Sequence, residues 1–120
     1  MQTLEKRTSE SVLYDIDCSV LLAVGETITG TPTVTTDLVT TPPLVFGVAA
    51  VNVAAVTYTD TYGSTRVAPI GQVAQVNISG GTIPASAQVQ DYMVRVKMST
   101  TRNALVEATV RLRLTDTPAL

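Results

Sequence analysis

Few side chains in this sequence could carry out chemistry, and the first candidates are two carboxylates, Asp15 and Asp17. If they lie in a strand, this spacing places both on one face, where they could serve acid–base chemistry or bind a cation. No third acid follows at a ligand spacing, and the chain has no His, the commonest general base. We therefore interpret the pair as the polar face of a strand, and we expect no catalytic residue, no metal and no cofactor.

Cys18 is the only cysteine, so neither a disulfide framework nor a paired-cysteine metal or redox site can form. No His is available to activate its thiol, and it shares the parity of the apolar residues around it. We expect a buried, unreactive thiol. Gly80 and Gly81 followed by Thr82 lack the rest of a phosphate-loop signature, so a tight turn between strands is the better prediction.

Tyrosine and basic side chains near the end of the chain admit two interpretations each. Tyr92 starts an alternating strand, and its hydroxyl could bond back to the backbone across a sandwich corner or the ring could simply fill the core. Four cations should share the outward face of neighbouring strands: Arg95, Lys97, Arg111 and Arg113. Because the net charge is −2 and aromatic residues make up only 4%, we expect no nucleic-acid partner. A solvated face, or one that includes Glu107 and matches a protein partner, is favoured.

The elements that must position these residues are strands. Thr, Val and Ile fill 43 of 120 positions, and their branched side chains suit a pleated sheet. Apolar residues alternate with polar ones in three stretches, 12–24, 88–98 and 106–114. The pattern predicts that Val94, Val96, Val110 and Leu112 form the core.

Turn signals occur about every ten residues and divide the chain into about seven short strands. Gly30 and Pro32 make the strand over 26–36 short or an edge strand, and 72–79 forms another. This number and spacing of strands is typical of an all-β fold, a single antiparallel Greek-key sandwich of the immunoglobulin-like kind. We expect a flexible N-terminal segment at 1–10, the sandwich at 11–116 and a C-terminal tail at 117–120. Neither a signal peptide nor a membrane-spanning stretch is expected.

The stretch 44–59 is unusually apolar and is the candidate protein interface. Charged residues are only 15% of the chain, which hints at a surface partly covered by neighbours. Since the alternating strands already fill the inner faces, we expect part of this stretch to be covered by another subunit. Val45, Phe46 and Val48 are the predicted contacts, and the alternative is a central strand buried on both sides.

Several short motifs follow one another in a characteristic order. They are Tyr14-Asp15-Ile16-Asp17, Gly25-Glu26-Thr27-Ile28-Thr29, Val76-Asn77-Ile78-Ser79-Gly80-Gly81-Thr82, Tyr92-Met93-Val94-Arg95-Val96, the turn Thr100-Thr101-Arg102-Asn103, Glu107, and Leu112-Arg113-Leu114. In this order the chain resembles a family of small phage virion proteins, the fibre-tail adaptor type. Three features depart from that pattern: Cys18 replaces an aromatic residue, Asn103 replaces the turn glycine, and 38–72 is longer and more apolar.

The resemblance implies a non-enzymatic structural protein of a bacteriophage virion. Such an adaptor would join tail and neck components, or tail and fibre, by symmetric packing in a homo-oligomeric ring, through strand edges and loop ends. Its partners would be other virion proteins, and it would be made in the host cytoplasm. A capsid decoration or cement protein is the alternative, and a ligand-binding β-sandwich module is a third.

Overall fold

The structure of this protein, a computed structural model, describes residues 2–60 and 62–115. Within these residues the chain forms strands and one short 3₁₀ helix, Ser19–Leu21. The strands are β1 Thr3–Arg7, β2 Val12–Asp17, β3 Ile28–Thr36, β4 Leu44–Phe46, β5 Ala50–Val51, β6 Val56–Thr59, β7 Thr65–Ala68, β8 Val73–Gly80, β9 Val89–Thr100 and β10 Leu105–Thr115. No helix in the described part of the chain is long and apolar enough to cross a membrane. The predicted C-terminal tail, 117–120, lies outside the described residues.

Two sheets pack face to face, which confirms the predicted all-β sandwich. One sheet has the order β1-β10-β9-β3, and the other has the order β2-β8-β4 with β5 also paired to β8. The hairpin of β6 and β7 forms a separate two-stranded sheet. Most pairs are antiparallel as predicted, but β1 runs parallel to β10, so the first sheet is mixed.

The core lies between the inner faces of the two sheets, where the alternation of the sequence placed it. Val94, Val96, Val110 and Leu112 are each no more than 3% exposed. They meet Val76 and other inward residues of β8 from the opposite sheet in one apolar cluster. Burial of these branched side chains is the main source of stability, at about 25 cal/mol per Å² of apolar surface.

Two stretches are more divided in the structure than a single strand would be: 12–24, which was predicted to alternate throughout, and 44–59, for which one central strand was the alternative interpretation. The alternation from Val12 continues only to Cys18, since the Asp17 carboxylate accepts the Ser19 N–H at 2.9 Å and turns the chain out of the sheet. Val20 and Val24, expected inside, are exposed. The stretch 44–59 contains β4, β5 and β6, so it is three short strands rather than one. The number of strands therefore exceeds the seven expected.

The N-terminal segment was predicted to be flexible, and the structure corrects this for residues 3–7. They form β1, whose register runs from Thr3 opposite Arg111 to Arg7 opposite Thr115. Leu4 and Lys6 face inward, and the Lys6 ammonium donates to the Gly80 carbonyl at 2.9 Å. Desolvation by burial lowers the pKa of Lys6. A charged side chain inside a sandwich has no period-two signature, so the sequence pattern did not reveal this strand.

Replacing Val110 by Asp tests the assigned parity of β10. Val110 is 3% exposed, so the carboxylate would be buried without a partner, and we expect a loss of more than about 3 kcal/mol in unfolding free energy. Thr109 is the matched control, because it lies on the other face directly opposite Arg95 of β9. Thermal melts should show Thr109→Asp near the parent protein, and equal melts for both variants would contradict the assignment.

Candidate functional site

The two aspartates that opened the sequence argument have separate structural tasks. Asp15 accepts the Gln75 amide at 2.8 Å on the outer face of its sheet. Asp17 turns the chain through Ser19 and accepts the Tyr58 hydroxyl at 2.6 Å. That hydrogen bond to a carboxylate raises the pKa of Tyr58. Among residues 2–60 and 62–115, no cluster of three His, Cys, Asp or Glu side chains is placed to hold a metal ion.

Cys18 is fully buried, as predicted, and its Sγ lies 3.5 Å from the Ile16 carbonyl oxygen. Desolvation by burial raises the pKa of the thiol to about 11. The thiolate, which is the reactive form, is therefore scarce at neutral pH as well as shielded from reagents.

The predicted turn after β8 is held by Tyr92. Its hydroxyl bonds to the backbone, as the first of the two interpretations of Tyr92 predicted. It accepts the Thr82 N–H at 3.0 Å and lies 2.8 Å from the Thr40 hydroxyl. Gly80 and Gly81 both have positive φ, and a Cβ on Gly81 would lie 2.8 Å from Leu114 Cδ2. The turn therefore needs glycine for both conformation and space.

The four cations of the outer face form no separate basic patch. Arg95 pairs with Asp37 at 2.9 Å and with Glu107 at 3.6 Å, and Arg113 pairs with Asp91 at 3.1 Å. All these pairs are at least one-third exposed, so each contributes at most about 1 kcal/mol. The face carries a mixture of both charges, and whether it stays in solvent or meets acidic residues of a protein partner stays a prediction.

The three candidate interface residues differ in how far the fold exposes them. Val45 faces outward from β4 and is 54% exposed, and Val48 is 88% exposed. Phe46 points the other way and packs against the core. The structure thus places two of the three predicted contacts on the surface. Whether a partner covers them stays a prediction.

Where the loops of one end of the sandwich meet, a buried polar network joins them. The Glu26 carboxylate accepts the Thr100 hydroxyl at 2.5 Å and the Ala23 N–H at 2.8 Å. The Gln72 amide donates to the Glu26 carbonyl at 2.9 Å. Glu26, Gln72 and Thr100 are each less than 9% exposed, so the hydrogen bonds are shielded from water.

Asn52 extends this network to a further loop. Its side-chain oxygen accepts the N–H groups of Gly71 and Val73, each at 3.0 Å, and its amide donates to the carbonyls of Ala54 and Pro69. One buried amide therefore satisfies four backbone groups. Sequence reasoning missed the roles of Asn52 and Gln72. Glu26 and Thr100 appeared only as parts of motifs, because nothing local distinguishes a polar residue that is buried.

The segments tied together by the network carry exposed apolar side chains. These are Val20, Val24, Val53, Ile70 and Leu105, each at least 59% exposed. Beside them, a cleft of about 420 Å³ opens between β10 and the β6–β7 hairpin. Its walls include Leu21, Tyr58, Glu107 and Thr109. Exposed apolar side chains that lie together are a common feature of interaction surfaces.

Comparisons with known proteins add no relative: no family model matches the sequence, and no curated protein or solved structure is found to be similar. The resemblance to the fibre-tail adaptor type stays a hypothesis that rests on the motifs. Of its departures, the turn at Asn103 has a clear structural reading. Asn103 has a φ of 58°, a left-handed conformation that asparagine tolerates better than most residues in place of glycine.

The buried network should make the loop end sensitive to acid. The Thr100 hydroxyl and the Ala23 N–H lower the pKa of Glu26 from its ordinary 4.5. The stabilisation it gives is complete above that ordinary value and is lost as pH falls through the lower folded pKa. We expect the melting temperature of the parent protein to fall as the pH drops below the ordinary pKa of Glu26. In Glu26→Gln, which has no carboxylate to protonate, the melting temperature should change less over the same pH interval. Equal pH profiles for both proteins would contradict the role assigned to Glu26.

Cys18 should resist a thiol reagent in the folded protein and react once denaturant is added, because its pKa is about 11 and its side chain is buried. Val20→Cys is the control, since Val20 is 90% exposed and only two residues away. That variant should react with one equivalent of reagent in the native state and two after unfolding. Rapid labelling of the unsubstituted folded protein would show the thiol to be accessible.

Proposed function

We propose that this protein is a non-enzymatic structural component of a bacteriophage virion, an adaptor that joins tail and neck components or tail and fibre. The motif order gives the phage assignment. The observation that carries the structural role is the amount of apolar surface left uncovered: 14 large apolar side chains of described residues are exposed. Where exposed apolar side chains form a contiguous patch, that patch normally marks an interface.

Symmetric packing around a tail axis requires two different contact faces on each subunit, since a ring is built from head-to-tail contacts. The sandwich offers such a pair at its two lateral margins. At one margin β3 packs beside β4 and β5, where Val45 and Val48 are exposed. At the other margin β1 lies over β2, joined by the Gln2 amide that donates to the Asp15 carbonyl. There the cleft beside β10 opens.

Rigidity of the loop end supports the same role. An adaptor gains affinity when its contact surface is already ordered, because less conformational entropy is lost on binding. Glu26 and Asn52 provide that order by fixing four chain segments through buried hydrogen bonds. Val20, Val24 and Val53 are held outward on these segments as anchors for a neighbour.

The test is a double substitution, Val45→Ser with Val48→Ser, in phage particles whose only copy of the protein is the variant. Both side chains are exposed, so the unfolding free energy of the isolated domain, measured by thermal melting, should change by no more than about 0.5 kcal/mol. We expect the variant to be lost from purified particles. Phe46 is left unchanged, because it packs against the core and its substitution would confuse misfolding with lost contact.

Val67→Ser with Val89→Ser is the matched control, as these exposed valines lie on β7 and β9. The control should enter particles at the normal level. Normal incorporation of the Val45 and Val48 variant would contradict the proposed contact. Absence of the unsubstituted protein from particles would contradict the virion function itself.

A further inference from the structure

Three loops at the loop end of the sandwich are built from apolar residues. They are Val20-Leu21-Leu22-Ala23-Val24, Val53-Ala54-Ala55 and Pro69-Ile70. Val20, Val24 and Val53 are each at least 90% exposed, and Ile70 is 59% exposed. Loops that face water are normally polar, so three apolar loops at one end indicate a surface that meets an apolar neighbour.

Backbone hydrogen bonds hold the three loops side by side. Both ends of the first loop are fixed to the third: the Cys18 N–H donates to the Gln72 carbonyl at 2.9 Å, and the Ile28 N–H donates to the Gly71 carbonyl at 2.8 Å. The Gly71 N–H in turn donates to the Asn52 carbonyl at 3.2 Å, which fixes the third loop to the second. The exposed apolar side chains therefore belong to one cluster.

Outward charge at the loop end has one sign. Two charged residues, Glu26 and Arg102, occur in the four segments that meet here, which are 18–27, 52–55, 69–72 and 99–105. The structure describes all four segments. Glu26 is 7% exposed and its carboxylate accepts hydrogen bonds inside the protein, whereas Arg102 is exposed on its turn. A cation beside apolar side chains suits a neighbour that is apolar within and anionic at its surface.

Much of the backbone at this end is already paired inside the protein. The N–H groups of Leu21 and Leu22 donate to the carbonyls of Cys18 and Ser19. Those of residues 101–104 donate to Thr27 and Thr100. Internal pairing of this kind is what a lipid surface demands, because lipid tails cannot hydrogen-bond to a backbone.

A protein partner would place a different demand on the loop end. Protein interfaces normally carry about one hydrogen bond per 100–200 Å². The side chains of the three apolar loops include no donor or acceptor that could form such bonds. The chemistry of the surface therefore favours a bilayer over a second protein.

We propose that the loop end docks on the surface of an anionic lipid bilayer, with Val24, Val53 and Ile70 entering the headgroup region and Arg102 lying against lipid phosphates. Docking of this kind needs no membrane-spanning segment. The inference deepens the proposed function, on which its biological setting rests, by naming the bilayer as the neighbour that the rigid loop end meets. The subunit contact through Val45 and Val48 is a different surface.

The experiment uses the full chain with two kinds of vesicle, phosphatidylcholine alone and an equimolar mixture with phosphatidylglycerol. The chain has no Trp, so Val24→Trp places a single fluorescent reporter at the loop end. Its emission should shift to the blue when mixed vesicles are added, because the indole leaves water. Val48→Trp is the matched control, since Val48 is also exposed but lies away from the loop end, and its emission should not shift.

Vesicle sedimentation of the unlabelled protein measures the contribution of each group. Val24→Ser with Val53→Ser should reduce binding at least about tenfold, because two apolar side chains no longer leave water. Val45→Ser with Val48→Ser should bind like the parent protein. Arg102→Gln should bind mixed vesicles about fivefold more weakly, the effect of one cation near an anionic surface, and phosphatidylcholine vesicles as before.

Four results would overturn the proposal. These are no binding of the parent protein to mixed vesicles, an equal response of the Val24 and Val48 reporters, full binding by the Val24 and Val53 variant, and self-association without lipid that this variant abolishes. The last would show a second copy of the chain as the occupant. None of them bears on particle incorporation through Val45 and Val48, so failure here is distinguishable from failure of the proposed function.

Discussion

Packing of the β9–β10 hairpin against β8 is the constraint on which the rest of the structure depends. Their inward residues, among them Val76, Val94 and Val110, are almost wholly removed from water. Five other strands are attached to these three: β1 and β3 flank the hairpin, and β2, β4 and β5 pair with β8. Only the β6–β7 hairpin stands apart. The apolar burial between the two sheets thus sets the positions from which all the loops start.

At the loop end, polar groups rather than apolar ones decide the conformation. Loops that leave the sandwich carry backbone groups that the sheets cannot pair, and Glu26, Asn52 and Gln72 supply buried partners for them. Such a network is worth its desolvation cost only when its members are satisfied, as these are. Its effect is to hold exposed apolar side chains on a rigid frame, which is the property an assembly protein needs.

The two margins of the sandwich differ in what they offer a neighbour. The β4 margin presents side chains, Val45 and Val48, and would recognise an apolar surface. The β10 margin presents a cleft whose walls combine polar and apolar side chains, among them Leu21, Tyr58 and Thr109. Two different margins suit head-to-tail packing, because each contact in a ring joins two unlike surfaces. The assembly role proposed for this protein draws on that inequality.

The sequence by itself determined the all-β class, the parity of β9 and β10, and the burial of Cys18. Alternation is local, so a period of two can be read directly from neighbouring residues. Tertiary structure alone decided that residues 3–7 form a strand, that this strand pairs in parallel with β10, and that Glu26 meets Thr100 across 74 positions. These features depend on partners distant in the chain, and no local pattern encodes a hydrogen bond whose other half lies elsewhere.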